Sequence, residues 1–203
     1  MIQFLALGDS YTIGEAVTPS ERWPSLLAAQ LRKEGFPVAE PLLVARTGWT
    51  SVELEAALED QALEDVFDLV SLLVGVNDQY RGTPPDQYDR TLRRLISRAV
   101  AFARGYPHRV LVISIPDWSV TRFADGRNRV EIGRRIDELN ELAESATREA
   151  GANWIDVTAE SRRAAFDSGL IAEDGLHPSM RMYAEWVACI TPVALGVLRS
   201  GRR

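Results

Sequence analysis

The chain has 203 residues, 46% of them hydrophobic and 26% charged, a balance that supports one sizeable core without disulfide or metal staples. Its single cysteine, Cys189, excludes an intramolecular disulfide and a multi-thiolate zinc site, and with only two histidines a metal site would have to be rich in carboxylates. A net charge of -6 and a sequence pI of about 5.1 argue against nucleic-acid binding, which needs a basic surface to displace counterions.

Short apolar runs alternate with amphipathic segments along the whole chain. Ile2–Leu7 reads as a strand and Trp23–Glu34 as a helix, followed by strand Pro41–Ala45 and helix Ser51–Ala62. Strand Leu69–Val74, helix Gln87–Arg104, strand Val110–Ile115 and helix Arg129–Ala150 come next, then strand Asn153–Val157 and helix Met180–Leu198. Several strands are almost wholly apolar, as strands covered on both faces must be. In the fourth helix Ile132, Ile136, Leu139, Leu142, Ala143 and Ala146 recur at helical spacing, and Gly151 follows as a C-terminal stop. Neither a linker nor a repeat divides the chain, so residues 1–203 read as one domain ending in the short tail Arg199-Ser200-Gly201-Arg202-Arg203. Cys189, within Trp186-Val187-Ala188-Cys189-Ile190, reads as a small buried hydrophobe.

No stretch is read as approaching the ~20 apolar residues of a membrane helix, and the N-terminus lacks the basic region of a signal peptide. The expected location is the cytoplasm, or the periplasm or exterior if a leader has been removed. Nothing in the sequence specifies an oligomeric state.

Strand–helix alternation implies a parallel sheet with right-handed crossovers and helices on both faces. Ligands of such sheets bind beyond the carboxyl ends of the strands. Those positions hold Gly8-Asp9-Ser10-Tyr11-Thr12-Ile13-Gly14, then Arg46-Thr47-Gly48-Trp49-Thr50, then Gly75-Val76-Asn77-Asp78. Nearer the C-terminus stands Asp174-Gly175-Leu176-His177-Pro178.

These residue types suit acyl transfer. A serine hydroxyl is a weak nucleophile until a base takes its proton, and a neutral imidazole serves that purpose near neutral pH. The imidazole needs a carboxylate to fix its tautomer, and Asp174 lies three residues before His177, within reach of one turn of backbone. The amides of Ser10 and Gly48 and the side chain of Asn77 can supply donors to a developing oxyanion, and Gly at 48 lets the substrate approach the backbone closely. The other histidine, His108, precedes a strand and so lies on the opposite, amino-end side of the sheet.

The four segments, in this order and spacing from residue 8 to residue 178, resemble the sequence blocks of the SGNH (GDSL-like) hydrolases. The resemblance implies a serine ester hydrolase with Ser10 as nucleophile, His177 as base, Asp174 as its orienting carboxylate, and Ser10, Gly48 and Asn77 as oxyanion donors. It also implies a three-layer α/β/α, flavodoxin-like domain with a five-stranded parallel sheet in the order 2-1-3-4-5. No metal and no organic cofactor are expected. The expected partner is a small-molecule, lipid or carbohydrate ester. The sequence departs mildly from the family at Tyr11, where many relatives carry Leu or Ile, and a tyrosine there would narrow or polarise the entrance.

Trp49, Tyr80, Arg81 and Trp118 follow strand ends and are the candidate substrate contacts; Arg81 has Asp78 and Asp86 as competing partners. The loop from Asp117 to Asn128 is a candidate flap. Taken singly, each block has a plain reading: Ser10 as a helix cap, Gly48 and Asp174-Gly175 as turns, Asn77-Asp78 as an Asx turn. A second function class is a non-catalytic flavodoxin-like module whose Gly8–Gly14 loop cradles a phosphate or other ligand. That reading lacks the Gly-Lys-Ser/Thr ending of a phosphate loop and leaves Asn77, Asp174 and His177 without a task. Acyl transfer to an acceptor other than water is a variant of the hydrolase reading.

Overall fold

The computed structural model describes residues 1–60, 63 and 66–200. Five parallel strands, β1 (Phe4–Gly8), β2 (Leu42–Ala45), β3 (Leu69–Leu73), β4 (Val110–Ile113) and β5 (Asn153–Ile155), form one sheet in the order β2-β1-β3-β4-β5. Register is continuous across the middle of the sheet, with Gly8 paired to Ala45 on one side and to Leu73 on the other. Every residue of β1, β3 and β4 is buried, because these strands are covered on both faces; β2 and β5 form the half-covered edges.

Eight helices accompany the sheet among the described residues: α1 (Ser10–Ile13), α2 (Trp23–Lys33), α3 (Ser51–Asp60), α4 (Val76–Arg81), α5 (Pro85–Phe102), α6 (Arg129–Glu149), α7 (Thr158–Arg162) and α8 (Met180–Ser200). Helices α2 and α8 pack together on one face, and α3, α5 and α6 pack as a group on the other. Tyr88, Leu92, Leu95, Ile96, Ala99 and Phe102 bury one stripe of α5, while Arg90, Arg93 and Arg94 face outward into ion pairs. Helix α6 starts where the Asn128 side chain accepts the Glu131 amide at 3.2 Å.

The architecture is the one the sequence implies, with shifted boundaries. Strand β1 begins at Phe4; Ile2, ahead of it, makes only an isolated bridge to Val38. Helix α5 starts at Pro85, since proline at the first helical position forgoes an amide that has no intrahelical partner anyway. The expected end of α3 at Ala62, and tail residues 201–203, lie outside the described residues. The short helices α1, α4 and α7 fall where loops are read, because four to six residues carry too little periodicity to reveal a helix.

One expectation is corrected. Helix α8 spans 21 residues with a mean hydropathy of 1.2 over its apolar window, long and apolar enough to cross a membrane by length and composition. Here it packs against α2 and the sheet and buries Tyr183, Trp186, Ile190 and Ala194. The buried stripe accounts for part of this apolar content, and Cys189, Val193 and Leu195, which are only partly buried, add to it. Cys189 on the same helix is half-buried rather than enclosed, and burial pushes its thiol pKa up.

Candidate active site

Three strand ends and one hairpin converge above the carboxyl edge of the sheet. Gly8 ends β1, and Asp9 caps α1 by accepting the Tyr11 amide at 3.0 Å, which presents Ser10 as the first helical residue. On the far side of the sequence, residues 171–178 fold back on themselves through an isolated antiparallel bridge between Ile171 and Pro178. The Ala172 amide donates to the His177 carbonyl at 2.8 Å and the Gly175 amide to the Ala172 carbonyl at 3.0 Å, closing the hairpin that carries Asp174 and His177.

Within this frame His177 Nε2 lies 2.9 Å from Ser10 Oγ, and His177 Nδ1 lies 2.6 Å from Asp174 Oδ2. Asp174 Oδ1 also accepts the amides of Leu176 at 2.9 Å and His177 at 3.0 Å. Partial burial pushes the Asp174 carboxyl up, but the hydrogen bonds from the His177 ring and these two amides outweigh it and hold the pKa below its ordinary value. An ionised carboxylate can only accept, so Nδ1 carries the ring proton and Nε2 is left to accept from the Ser10 hydroxyl. Ser10 and His177 are only 5% and 7% exposed, so little water competes for that contact.

Tyr11, the departure from the family pattern, is buried and contributes to the lining of the cleft in front of Ser10. Its ring packs 5.1 Å from the His177 ring and 6.4 Å from Trp186, while Tyr183 Oη donates to its carbonyl at 3.0 Å. It therefore forms a wall behind the imidazole.

The cleft in front of Ser10 is open to solvent and offers a volume of about 170 Å³. Ser10, Gly48, Asn77 and His177 contribute to its lining, together with Tyr80 and Trp118. The Ser10 and Gly48 amides make no hydrogen bond among the described residues, and Asn77 Nδ2 spends one of its two N–H groups on the Trp49 carbonyl at 2.9 Å. Three unspent donors thus border one cleft. Gly48 holds φ at +84°, a left-handed conformation that disfavours any residue with a Cβ.

Two expected substrate contacts are placed elsewhere. Trp49 is half-buried against the core and does not line the cleft; its carbonyl, rather than its ring, is used by the site. Arg81 also stays off the cleft wall: it donates to the Gly48 carbonyl at 2.6 Å and pairs with Glu53 at 3.2 Å. Asp78 is occupied by Ser51, and Asp86 by Arg90. In exchange, Phe123 and Leu176 line the cleft without having been singled out. Phe123 sits on the segment read as a flap, which folds into two 3-10 turns, Trp118–Val120 and Arg122–Ala124, tied to the hairpin by Phe123 N–H to the Gly175 carbonyl at 3.2 Å. An aromatic in a loop carries no periodic signal, so position after a strand end was the only available cue, and it reached Trp118 alone. His108 lies exposed at the amino edge of the sheet, away from the site, as its position before β4 implies.

A Ser–His–Asp series over the strand ends of a parallel α/β/α sheet is an arrangement that can activate a serine hydroxyl for acyl transfer. The sequence model of the GDSL-like lipase/acylhydrolase family matches residues 6–185, and the chain is a member of that family. Among solved structures, the fold is similar to TesA (22% identity, TM-score 0.74, covering 96% of this chain and 99% of that one). It is similar also to the lipase/acylhydrolase from Enterococcus faecalis (23%, TM-score 0.76, covering 97% and 96%). The acetylxylan esterase Axe2 from Geobacillus stearothermophilus shares the fold as well (18%, TM-score 0.73, covering 95% and 94%). At these identities the likeness speaks for the fold. No curated protein sequence matches the chain significantly.

Proposed function

We propose that the protein hydrolyses carboxylic esters through an acyl-enzyme on Ser10. The observation that carries this reading is the 2.9 Å contact between Ser10 Oγ and His177 Nε2, groups 167 residues apart in sequence. In the first half-reaction Nε2 takes the hydroxyl proton as Oγ attacks the ester carbonyl, and the imidazolium is stabilised by Asp174. The oxyanion is met by the Ser10 and Gly48 amides and the free N–H of Asn77. Collapse expels the alcohol, which receives the proton from Nε2; water then repeats the sequence to release the acid. No step needs a metal or a cofactor.

The lining supports a hydrocarbon acyl group over an acetyl group on a sugar. Val76, Tyr80, Trp118, Phe123 and Leu176 are apolar neighbours of the reacting atoms. Thr47 Oγ1 donates to Glu15, and the Trp118 indole N–H donates to Gln79 at 2.7 Å, so neither has a proton left to donate to a sugar hydroxyl. Each methylene buried in such a cleft is worth about 0.8 kcal/mol, or roughly fourfold in kcat/KM.

The test is a series of p-nitrophenyl esters from acetate to octanoate, assayed with wild type and Ser10→Ala. The expected result is a climb in kcat/KM with chain length in wild type, and a loss of at least about a thousandfold in the variant with an unchanged melting temperature. Near-normal turnover by Ser10→Ala ends the proposal.

A further inference from the structure

We propose that Arg81 is a positioning residue, whose guanidinium holds the Gly48 carbonyl so that the Gly48 amide remains available to the oxyanion. This rests on the ester-hydrolase reading above. The argument starts from the loop between β2 and α3, where almost every residue has its own tether. Thr47 Oγ1 donates to Glu15, and the Trp49 amide donates to Arg46 O at 3.2 Å. The Trp49 carbonyl accepts from Asn77, Thr50 donates to Glu53 through its amide at 2.8 Å and its hydroxyl at 2.9 Å, and Ser51 donates to Asp78 through its amide at 2.8 Å and its hydroxyl at 2.7 Å.

Gly48 differs from these neighbours. It has no side chain to anchor, and its amide must stay unbonded if it is to serve an oxyanion. Its carbonyl is the one remaining handle. Arg81 Nη2 takes it at 2.6 Å, a short charge-assisted hydrogen bond, while Nη1 sits 3.2 Å from both Glu53 oxygens. Glu53 also receives Thr50, so guanidinium, carboxylate and loop form one closed set of bonds.

Helix α4 thereby grips the loop with three side chains: Asn77 on Trp49, Asp78 on Ser51 and, one turn after Asn77, Arg81 on Gly48. A stabilising role alone does not account for Arg81. The Arg81–Glu53 pair is about half exposed, at 49% and 44%, and exposed pairs contribute little to stability. Without Arg81, a glycine free to rotate loses the conformation that aims its N–H into the cleft, and a displaced donor costs much of what a deleted one does.

The experiment compares Arg81→Met, Arg81→Lys and Ser10→Ala with wild type on one p-nitrophenyl ester, with a melting curve for each. Arg81→Met is expected to lower kcat by about 10- to 100-fold with KM within about twofold and little change in melting temperature. Arg81→Lys, which keeps a cationic donor but not the fork, is expected to fall between Arg81→Met and wild type. A kcat for Arg81→Met within twofold of wild type overturns the assignment, as does a loss confined to KM, which would mark a substrate contact. A loss matched by a fall in melting temperature overturns it in favour of a structural role. Should Ser10→Ala retain its turnover, the hydrolase reading falls and Arg81's task with it; should Ser10→Ala be dead and Arg81→Met active, only the Arg81 assignment falls.

Discussion

Replacing Asp9 with asparagine probes a carboxyl that sits beside Ser10 yet takes no part in the proposed chemistry. Asp9 is completely buried; Oδ1 accepts the Tyr11 amide at 3.0 Å, and Oδ2 has no hydrogen-bond partner among the described residues. Burial pushes its pKa from 3.8 up to about 7, against the opposing Tyr11 amide and with a smaller push from Asp78. Since the folded-state value lies above the unfolded one, the folded chain binds this proton more tightly than the unfolded chain throughout that interval. Its contribution to stability is therefore greatest below about pH 4, declines as pH rises, and is flat above about pH 7. At about 1.4 kcal/mol per pH unit over the titrating range, the decline between pH 4.5 and pH 8 comes to about 3 kcal/mol. Asparagine preserves the shape and the acceptor for Tyr11 but carries no proton to lose. Urea unfolding of both proteins at pH 4.5, 6 and 8 gives the difference in stability at each pH, and titrating groups that do not interact with Asp9 cancel in that difference. The variant should gain about 3 kcal/mol on wild type across the range. A difference constant to within about 0.5 kcal/mol would refute the reasoning, because it would mean that Asp9 does not change protonation in that window.

Asp174→Asn should leave the fold intact and lower kcat by about a thousandfold or more, because an amide can donate to Nδ1 and so select the wrong imidazole tautomer; steady-state kinetics beside a melting curve read this out. Gly75→Ala should destabilise the protein by about 3 kcal/mol or more in urea unfolding. Gly75 holds φ at +134°, and a Cβ there would lie 2.6 Å from Ile115 Cδ1 and 2.7 Å from Tyr88 Oη.

Much of the site was legible before folding, because it depends on short-range rules. A nearly all-apolar run of five or six residues marks a covered strand, and the residues that follow it must stand at the carboxyl edge; this located the segments that hold Ser10, Gly48 and Asn77, and the family resemblance singled those residues out. The Asp174–His177 pair was equally local, three residues apart on one turn of backbone. Helix periodicity found α5, α6 and α8, and it failed for α1 and α4, which hold too few residues for a period to show. Helix α8 combines a buried stripe with further apolar residues outside it, which gives a helix packed on the sheet the apolar content of a membrane helix.

The amino-acid sequence alone determined the alternation of strands and helices, the candidates for the reacting groups and the likeness to a hydrolase family. Only the tertiary structure decided that residues 10 and 177 meet, that Trp49 turns inward while Phe123 reaches the cleft, and that Arg81 grips Gly48 in preference to Asp78 or Asp86. Each of those outcomes is a competition among partners brought together from distant segments. Packing and desolvation settle such competitions in three dimensions, and no local pattern encodes their result.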